Sequence, residues 1–463
     1  MLSEGRFLSG STMGHVVRMT LTGTAGITFV FLVDALNLLW LSLLGDPKLV
    51  AAIGFAFAIQ FFSVSSGIGL MIAATVLVSR EIGADDRSEA RLLAGSALFI
   101  GFFVQTVMAG MIILFRYDIL ILAGAVGETL ELAARYLLWT LPSLSVMIIG
   151  MIASGVLRAE GDGKRAMFVT LSSGTVSFFL DPVLIYYLSL GLDGAAIGLN
   201  ISRVILMLVA LYFATCFHRL IALPSLAEVM RHLWPFMAVA CPAMLTQLAT
   251  PFGNYLLTAA LAQFGDDAVA GWAVVSRLTV LAFGGIFALS GSIGGIFGQN
   301  YGAKQYTRLV ATYRNAMLFC LCYTFIVWGL LVTFSSSIAH AFGLVANGAD
   351  VLRAFTHFGA GAFLFTGAYF VSNAAFNALD RPMRATLLTW IRDGLLTWPT
   401  AMWFAASFGS VGVIYAQAVL AIGIGTVSAL WGWYFVRRIV TAEIAVDLVT
   451  RRGLRDVYRF QRR

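Results

Sequence analysis

Residues 34–55 read DALNLLWLSLLGDPKLVAAIGF, and residues 254–275 read NYLLTAALAQFGDDAVAGWAVV, a related apolar pattern displaced by 220 positions. Self-similarity at a fixed separation indicates a structural repeat. Further matches follow at nearly the same offset: Arg165-Ala166 corresponds to Arg384-Ala385. The sequence therefore predicts two similar halves of about 220 residues each.

The composition restricts the class of protein. Of 463 residues, 60% are hydrophobic and only 11% are charged, against roughly 25% charged in soluble proteins. A soluble fold of this length needs a polar shell that this chain cannot supply. A soluble enzyme, a nucleic-acid-binding protein and a disordered protein are excluded, and an all-α polytopic membrane protein is expected.

Apolar runs of about 20 residues, the length that crosses a bilayer, number twelve. Six fall in each half, so the halves share one orientation and are related by a pseudo-two-fold axis along the membrane normal. We expect a first bundle at 1–217, a linker at 218–233, a second bundle at 234–440 and a basic tail at 441–463. The predicted spans are 15–44, 48–79, 92–115, 130–156, 166–190, 194–217, 234–263, 268–298, 310–335, 352–377, 384–407 and 411–436.

Positively charged residues are distributed unequally between the loops on the two sides of the membrane. Lys and Arg are concentrated in the connections that follow even-numbered spans, and this bias marks the cytoplasmic side. It predicts a multi-pass protein of the inner (cytoplasmic) membrane with both termini in the cytoplasm. It also explains the net charge of +7 without a nucleic-acid partner. The residues are Arg80, Arg87, Arg91, Arg158, Lys164, Arg165, Arg219, Arg231, Lys304, Arg308, Arg381, Arg384, Arg437, Arg438, Arg451 and Arg452; the opposite connections hold Lys48 and Arg116.

Two six-span bundles favour a secondary transporter, in which the substrate sits between bundles that rock around it. A channel is the alternative, but no filter-like loop is visible. We find no phosphate-binding loop and no hydrolytic cluster, so an enzyme is not expected. The four cysteines lie in apolar runs without zinc or disulfide spacing and are interpreted as core residues.

An acidic side chain within a span raises the free energy of membrane insertion, so its presence indicates a functional or structural role. Asp34 lies about 11 residues, or roughly 16 Å, from the outer end of span 1, and Asp181 about 9 residues, or roughly 14 Å, from that of span 5. Asn37 shares a helix face with Asp34, and Ser177 shares one with Asp181. These groups suit Na⁺, or a proton shared between two carboxylates. No other metal or cofactor is expected.

A structural interpretation remains open for Asp181. Arg203 in span 6 has the same predicted depth, so the two could form a buried salt bridge. Asn200 lies one turn from Arg203 and could reach either acid. The second half has Asn254 at the position that repeats Asp34, and its main charges within the spans are Arg277 and the Arg392-Asp393 pair.

Other polar residues of the second half are candidates for the substrate cavity or for packing between helices. His357 is a lone histidine that could titrate near neutral pH. Arg277 could instead fix the packing of its span. The set comprises Gln247, Asn254, Arg277, His357, Asn373 and Asn377.

The motifs, in order, resemble those of multidrug and toxic compound extrusion (MATE) transporters over nearly the whole chain. They are LLGDPKLVAAIGFAF, GIGLMIAATVLVSREIGADD, RAEGDGKRAM, FFLDP, GLDGAAIG, AVVSRL and GQNYGAKQYTR. The resemblance implies twelve helices around a central cavity and export of amphipathic, usually cationic organic molecules driven by inward H⁺ or Na⁺. A lipid-linked saccharide flippase of the same wider superfamily is the second expected function. Small organic substrates, the bilayer and a monomeric state are the expected partners and assembly.

Within that family the chain resembles the DinF-like branch, whose coupling site surrounds an acid in span 1. The NorM-type branch has an acid in span 7, where this chain has Thr250 and no acid before Asp266. The DinF-like branch usually has Asn four residues before the acid of span 5, and Ser177 stands there. The resemblance thus implies a coupling site in the first bundle, around Asp34 and Asp181.

Overall fold

The chain folds into helices joined by short loops. A computed structural model describes residues 5–44 and 46–460, with the backbone alone at 38, 42, 47 and 443–460, and no strand occurs in these residues. The described α-helices are α1 Thr12–Ser42, α2 Pro47–Gly83, α3 Arg87–Leu114, α4 Arg116–Leu122, α5 Gly127–Thr140, α6 Ser143–Glu160, α7 Gly163–Pro182, α8 Gly191–Leu211, α9 Leu226–Ala262, α10 Asp266–Gly302, α11 Tyr306–Ala341, α12 Ala346–Ala354, α13 Ala360–Ala378, α14 Pro382–Thr389, α15 Thr397–Phe408 and α16 Ser410–Phe460. Short π-helical segments at Val183–Tyr187, Tyr212–Phe217, Phe355–Gly359 and Trp390–Leu396 continue α7, α8, α12 and α14.

The predicted all-helical membrane fold is confirmed. In the described part of the chain, 11 helices are long and apolar enough to cross a membrane. The remaining predicted span, 384–407, is the continuous helical run from Pro382 to Phe408. At 1.5 Å per residue this run is about 40 Å long, sufficient to cross. Its charged residues Arg392 and Asp393 make it less apolar than the other spans.

The predicted span 130–156 differs from the structure because it is broken at Pro142. Proline has no amide hydrogen and disturbs the helical hydrogen-bond ladder. The amide of Leu144 therefore bonds to the carbonyl of Leu141 at 3.0 Å instead of to Thr140, and the chain is divided into α5 and α6. The freed carbonyl of Thr140 becomes an acceptor for side chains.

The helices up to α8 form the first bundle and those from α9 onward form the second. The predicted boundaries at 217, 233 and 440 remain predictions, and the side chains of the tail from 443 onward lie outside the described residues. α9 begins at Leu226, before the predicted span start at 234. Ser225 and Glu228 form a reciprocal capping box there, which satisfies the first free amides of the helix.

The bundles are tightly joined at the end where α1 begins and where α2 and α10 finish, called here the terminal end. A Cβ atom on Gly83 would lie 2.1 Å from the carbonyl oxygen of Gln299, and one on Gly302 would lie 2.0 Å from that of Arg80. Only glycine permits this approach of two helix backbones. Arg80 also crosses to the second bundle, where it forms an ion pair with Asp380 at 2.5 Å.

The segment before α1 lies between the bundles at the terminal end. Phe7 is 1% exposed, and its amide donates to Oε1 of Gln299 at 2.9 Å. Arg308 donates to the carbonyl of Phe7 at 2.8 Å, while Gln299 also donates to the carbonyl of Ala159 in α6 at 2.6 Å. This buried segment, which nothing in the sequence signalled, therefore links both bundles.

Asp162, in the loop between α6 and α7, fixes the same end. Burial alone would raise the pKa of this carboxyl, but a hydrogen bond from His218 and bonds from the backbone and side chain of Arg165 hold the pKa well below its usual range. Arg6 lies 3.7 Å away. The carboxylate is therefore ionised at neutral pH and joins the N-terminal segment, the start of α7 and the linker.

Away from the terminal end, close contact between the two bundles at α1 and α10 gives way to exposed side chains. Close contact between α1 and α10 includes Gly284, where a Cβ would lie 3.3 Å from the hydroxyl of Thr28. One turn further, Phe31 of α1 is 37% exposed and Leu281 of α10 is 47% exposed. The exposed faces of α1 and α10 beyond this contact are together called here the cleft.

Candidate ion-coupling site

A chain of hydrogen bonds joins α1 to α7 in the first bundle. The amide of Asn37 donates to Oγ of Ser177 at 3.4 Å. Ser177 in turn donates to Oδ2 of Asp181 at 2.6 Å, one turn along α7. Ser177 and Asp181 are buried. The structure thus brings together three of the residues that the sequence assigned to one ion site.

The second carboxylate oxygen of Asp181 is buried and has no hydrogen-bond partner among the described residues. It rests against the backbone of α8, because a Cβ on Gly198 would lie only 1.9 Å from it. An isolated buried carboxylate is strongly unfavourable unless it is neutralised. The arrangement can therefore accept a proton or a small cation.

Sequence reasoning missed Gly198. A signal was present, because Gly194 and Gly198 are one turn apart in the GLDGAAIG run that directly follows the Asp181 span. Small residues at this spacing let helices approach closely. Gly194 also meets the π-helical turn after Pro182, where a Cβ would lie 2.7 Å from the carbonyl oxygen of Leu184.

Asp34 lies on α1 one turn before Asn37 and is exposed. It interacts electrostatically with Asp181 on α7 and with Arg203 on α8. No ion pair to Asp34 is formed within the described ranges. Asp34 is thus an exposed residue of α1, whereas Asp181 is enclosed by helices.

The alternative salt bridge between Asp181 and Arg203 is not formed in the described part of the chain. The guanidinium of Arg203 donates to the Thr140 carbonyl at 2.8 Å, to Ser143 at 2.8 Å and to Gln60 at 2.7 Å. The break at Pro142 explains this outcome, because it frees the Thr140 carbonyl as an acceptor. Arg203 therefore ties α8 to α2, α5 and α6.

Asn200 does not hydrogen-bond to either acid. Its amide donates to the carbonyl of Trp139 at 2.9 Å, which directs the side chain toward α5. Its amide oxygen is buried without a partner in the described structure. The structure therefore gives Asn200 a role in packing α8 against α5 and separates it from the Asp181 cluster.

In the second bundle, Asp393 is neutralised by the neighbouring Arg392. Arg392 donates to both oxygens of Asp393, at 2.7 and 2.9 Å, and its guanidinium lies 4.2 Å from the ring centre of Tyr369. A Cβ on Gly253 would come within 2.9 Å of Asp393. The pair lies on the π-helical turn at Trp390–Leu396 and fixes α9 and α13 around it.

Two predicted polar residues of the second bundle are buried. Asn373 and Asn377 lie one turn apart on α13, each 5% exposed, and the amide oxygen of each has no partner in the described part of the chain. Each is therefore free to accept a further hydrogen bond. Gln247 is half-buried on α9.

The other three predicted residues are exposed. Asn254 is exposed on α9, and its carbonyl accepts from Thr258. Arg277 is exposed on α10. The ring of His357 is hydrogen-bonded to the carbonyl of Arg353 at 2.9 Å, which agrees with a packing role.

The sequence matches the MatE family over residues 25–183 and 242–403. The chain belongs to this family. Among curated relatives, a "FAD transporter" of Shewanella oneidensis is 25% identical over 419 residues, which cover 89% of this chain and 92% of the relative. The "Multidrug export protein MepA" of Staphylococcus aureus is 24% identical over 425 residues, covering 88% and 90%.

A solved structure supports the same fold. One described as the outward-facing conformation of a multidrug resistance MATE family transporter has a TM-score of 0.86 at 22% identity, covering 96% of this chain and all of the other. The twelve-helix, two-bundle architecture predicted from the repeat is thereby confirmed. The protein is a multi-pass MATE-family transporter, and its relatives are transporters and not enzymes.

Proposed function

We propose that the protein is an H⁺- or Na⁺-coupled antiporter that exports amphipathic, cationic organic compounds by alternating access. The observation that carries this proposal is the unpartnered oxygen of Asp181, joined through Ser177 and Asn37 to the α1 face that holds Asp34. Such a site can bind and release an ion at the edge of the cleft between the two bundles. Relatives named as multidrug export proteins support the substrate class.

Coupling requires that the ion and the substrate favour opposite conformations. Protonation of Asp34 or binding of Na⁺ removes the uncompensated charge of the site. An organic cation compensates the same charge differently and occupies more of the cleft. Competition for one carboxylate then lets ion entry drive substrate release. Placement of this site in the first bundle is the arrangement of the DinF-like branch, which we propose for this chain.

We propose that the terminal end faces the cytoplasm of the inner membrane, because it carries most of the loop arginines and lysines. The cleft then opens to the outside, and the described conformation is outward-open. Lys164→Cys and Lys304→Cys, both at exposed positions, should react with an impermeant thiol reagent only from the cytoplasmic side. Labelling from outside would overturn this orientation.

The transporter is proposed to act as a monomer, with no cofactor other than its coupling ion and no nucleic-acid partner. The bilayer and small organic molecules are then its binding partners. Light scattering of the purified protein in detergent tests the first point. A stable dimer mass would contradict it.

Purified protein in liposomes tests the function. Ethidium movement is followed while a pH gradient or a Na⁺ gradient is imposed separately, which also identifies the coupling ion. Asp34→Asn mimics the protonated acid and should insert normally but lose gradient-driven transport. Asp34→Glu should retain part of it with an altered pH dependence. Asn254→Ala, at the repeat position, is the matched control and should remain active.

Export by Asp34→Asn at the wild-type rate with an unchanged pH profile would remove this acid from the mechanism. FAD belongs in the same assay, since one relative carries that name. Transport of FAD but not of ethidium would replace the substrate class and leave the coupling site intact. Neither reported relative is named as a flippase, and that alternative is not favoured. Ion flux that continues without any substrate gradient would indicate a channel.

A further inference from the structure

A cavity of about 310 Å³ lies at the terminal end, beside the start of α1, and is called here the basic cavity. Basic and apolar side chains line it, and none of its described lining residues is acidic. Arg6 and Arg18 are exposed, so the cavity is open to its surroundings and suits an anionic ligand. Its lining includes Arg6, Phe7, Ser9, His15, Arg18 and Met19.

The basic cavity has an excess of positive charge. The side chain of Arg18 makes no ion pair and no hydrogen bond within the residues that the structure describes. Arg6 lies 3.7 Å from Asp162, but that carboxylate is also bound by Arg165 and His218. The charge of Asp162 is therefore compensated without Arg18, which is available to bind an anion.

The walls of the basic cavity are fixed by contacts from both bundles. A ring nitrogen of His15 donates to the carbonyl of Ser9 at 2.7 Å, and its ring meets that of Phe7 edge-on, with 5.4 Å between the ring centres. Arg308 of the second bundle donates to the carbonyl of Phe7 at 2.8 Å. The N-terminal segment is thus held by the second bundle, whereas Arg18 belongs to the first, and a ligand in the cavity would contact both.

The position of Arg18 along α1 corresponds to the level of lipid headgroups. α1 has 31 residues, or about 46 Å at 1.5 Å per residue, whereas the hydrocarbon core of a bilayer is about 30 Å thick. About 8 Å at each end of a centred helix therefore lies outside the core. Arg18 is six residues, or about 9 Å, from the start of α1. Its side chain leans toward that start, and so toward the headgroups.

An exposed apolar stripe leads from Arg18 along α1 into the membrane. Leu21 is 53% exposed and Leu32 is 51% exposed, and Ala25 between them is also exposed. These residues follow Arg18 at successive spacings of 3, 4 and 7, which return to one face of a helix. Asp34 follows Arg18 by sixteen residues, about 160° around the helix, so the stripe is separate from the face that holds the coupling acid.

We propose that the basic cavity binds the phosphate headgroup of an acidic phospholipid, with an acyl chain along the stripe of Leu21, Ala25 and Leu32. This site goes beyond the proposed transport function and does not depend on it. Guanidinium groups form charge-assisted hydrogen bonds to phosphate oxygens, and basic pockets at the cytoplasmic ends of membrane helices bind acidic headgroups. A soluble phosphate would use the cavity alone, whereas a phospholipid also covers the exposed leucines. The continuity of the two surfaces therefore favours the lipid.

Lipid binding to the purified full-length protein in dodecyl maltoside tests the proposal without any transport. The probe is a short-chain fluorescent phosphatidylglycerol, followed by its anisotropy. Unlabelled phosphatidylglycerol should displace it, whereas phosphatidylcholine with the same chains and glycerol phosphate should each be weaker by about tenfold or more. Arg18→Gln should weaken binding about fivefold, because one arginine near the headgroup is lost, and Arg18→Lys should retain most of the affinity.

Arg91→Gln is the matched control, because Arg91 is exposed near the start of α3, at the same end but outside the cavity. It should bind the probe like the wild type. Thermal unfolding without lipid checks that each variant is folded. Phosphatidylglycerol should raise the unfolding temperature of the wild type and of Arg91→Gln more than that of Arg18→Gln, since a ligand that binds the folded state stabilises it.

A phosphatidylglycerol with a photoreactive diazirine in its acyl chain locates the site. Crosslinked peptides should come from α1 between Arg18 and Leu32 and should be fewer in Arg18→Gln. Equal displacement of the probe by phosphatidylcholine would show apolar contact alone, and equal displacement by glycerol phosphate would show a site for soluble phosphates. Either result would overturn the proposal, as would unchanged binding in Arg18→Gln or crosslinks that avoid α1.

Discussion

The polar centres of the two bundles differ although their helices repeat. In the first bundle, one oxygen of Asp181 has no partner in the described structure, and Asp34 faces the cleft. In the second bundle, both oxygens of Asp393 are bound by Arg392. The first centre can gain or lose a positive charge without breaking an ion pair, and the second cannot. The two bundles therefore repeat the helical scaffold, but among the described residues their buried acids differ in whether an arginine binds both oxygens.

The first helices of the two bundles, α1 and α9, also differ in charge at one repeated position. Asp34 on α1 and Asn254 on α9 occupy repeated positions, and both are exposed. The two residues therefore occupy equivalent exposed positions, but only Asp34 is ionisable. This difference agrees with the proposal that coupling belongs to the first bundle and that the ion pair of the second bundle is structural.

The largest expected effect is on the stability of the second bundle. Asp393→Asn leaves Arg392 buried without its counter-charge, and loss of one partner of a buried pair costs about 3–5 kcal/mol. Thermal unfolding of the purified variant in detergent, followed by size-exclusion chromatography, should show a marked loss. The double variant Arg392→Gln with Asp393→Asn should recover much of it, and equal instability of the single and double variants would contradict a purely structural pair.

Asp181→Asn, unlike Asp393→Asn, should impair transport without lowering stability. A buried carboxylate without an ion-pair partner is replaced by a neutral group of the same shape, so stability should be unchanged or raised. Gradient-driven export should fall by about 5- to 150-fold, the usual range of a coupling free energy. Export and thermal unfolding are measured on the same preparations. A variant that is unstable but fully coupled would reverse the roles assigned to the two bundles.

Gly198→Ala tests the close contact between Asp181 and α8. The added methyl group would overlap the free carboxylate oxygen, and overpacking of this kind costs about 1–3 kcal/mol. Coupled export should decline with an altered pH profile, since the carboxylate must move. Gly54→Ala is the control, because a Cβ at Gly54 meets nothing within 4 Å. Equal behaviour of the two variants would show that the carboxylate does not depend on this contact.

Hydrophobic run lengths and the repeat were sufficient to predict the fold, because a bilayer imposes one length on every span. Local backbone chemistry was not visible at that level. The effect of Pro142 on the hydrogen bonds of Thr140 redirected Arg203 away from Asp181, although equal depth had suggested a salt bridge. Depth specifies a level in the membrane, but the direction of a side chain depends on which carbonyls are free.

The candidate site was predicted only in part from the sequence. Helix periodicity, which is a local rule, placed Asn37 beside Asp34 and Ser177 beside Asp181, and the similar depth of the two acids grouped these pairs in one site. Gly198 and the buried Phe7 were missed because their importance lies in the closeness of another backbone, and a single sequence does not record this.

The smallest expected effect on export comes from Asn254→Asp, which places in the second bundle the acid that the first bundle has. Asn254 is exposed on a membrane span, so the new carboxylate should cost at most about 2.5–3.5 kcal/mol of stability. It gains no neighbouring free acid, because Asp393 is already bound by Arg392. Export should therefore stay within about twofold of the wild type with an unchanged pH profile, and adding Asn254→Asp to Asp34→Asn should not restore export. Rescue in that double variant would show that either bundle can couple, and that position, not the Asn37–Ser177–Asp181 chain, determines the ion site.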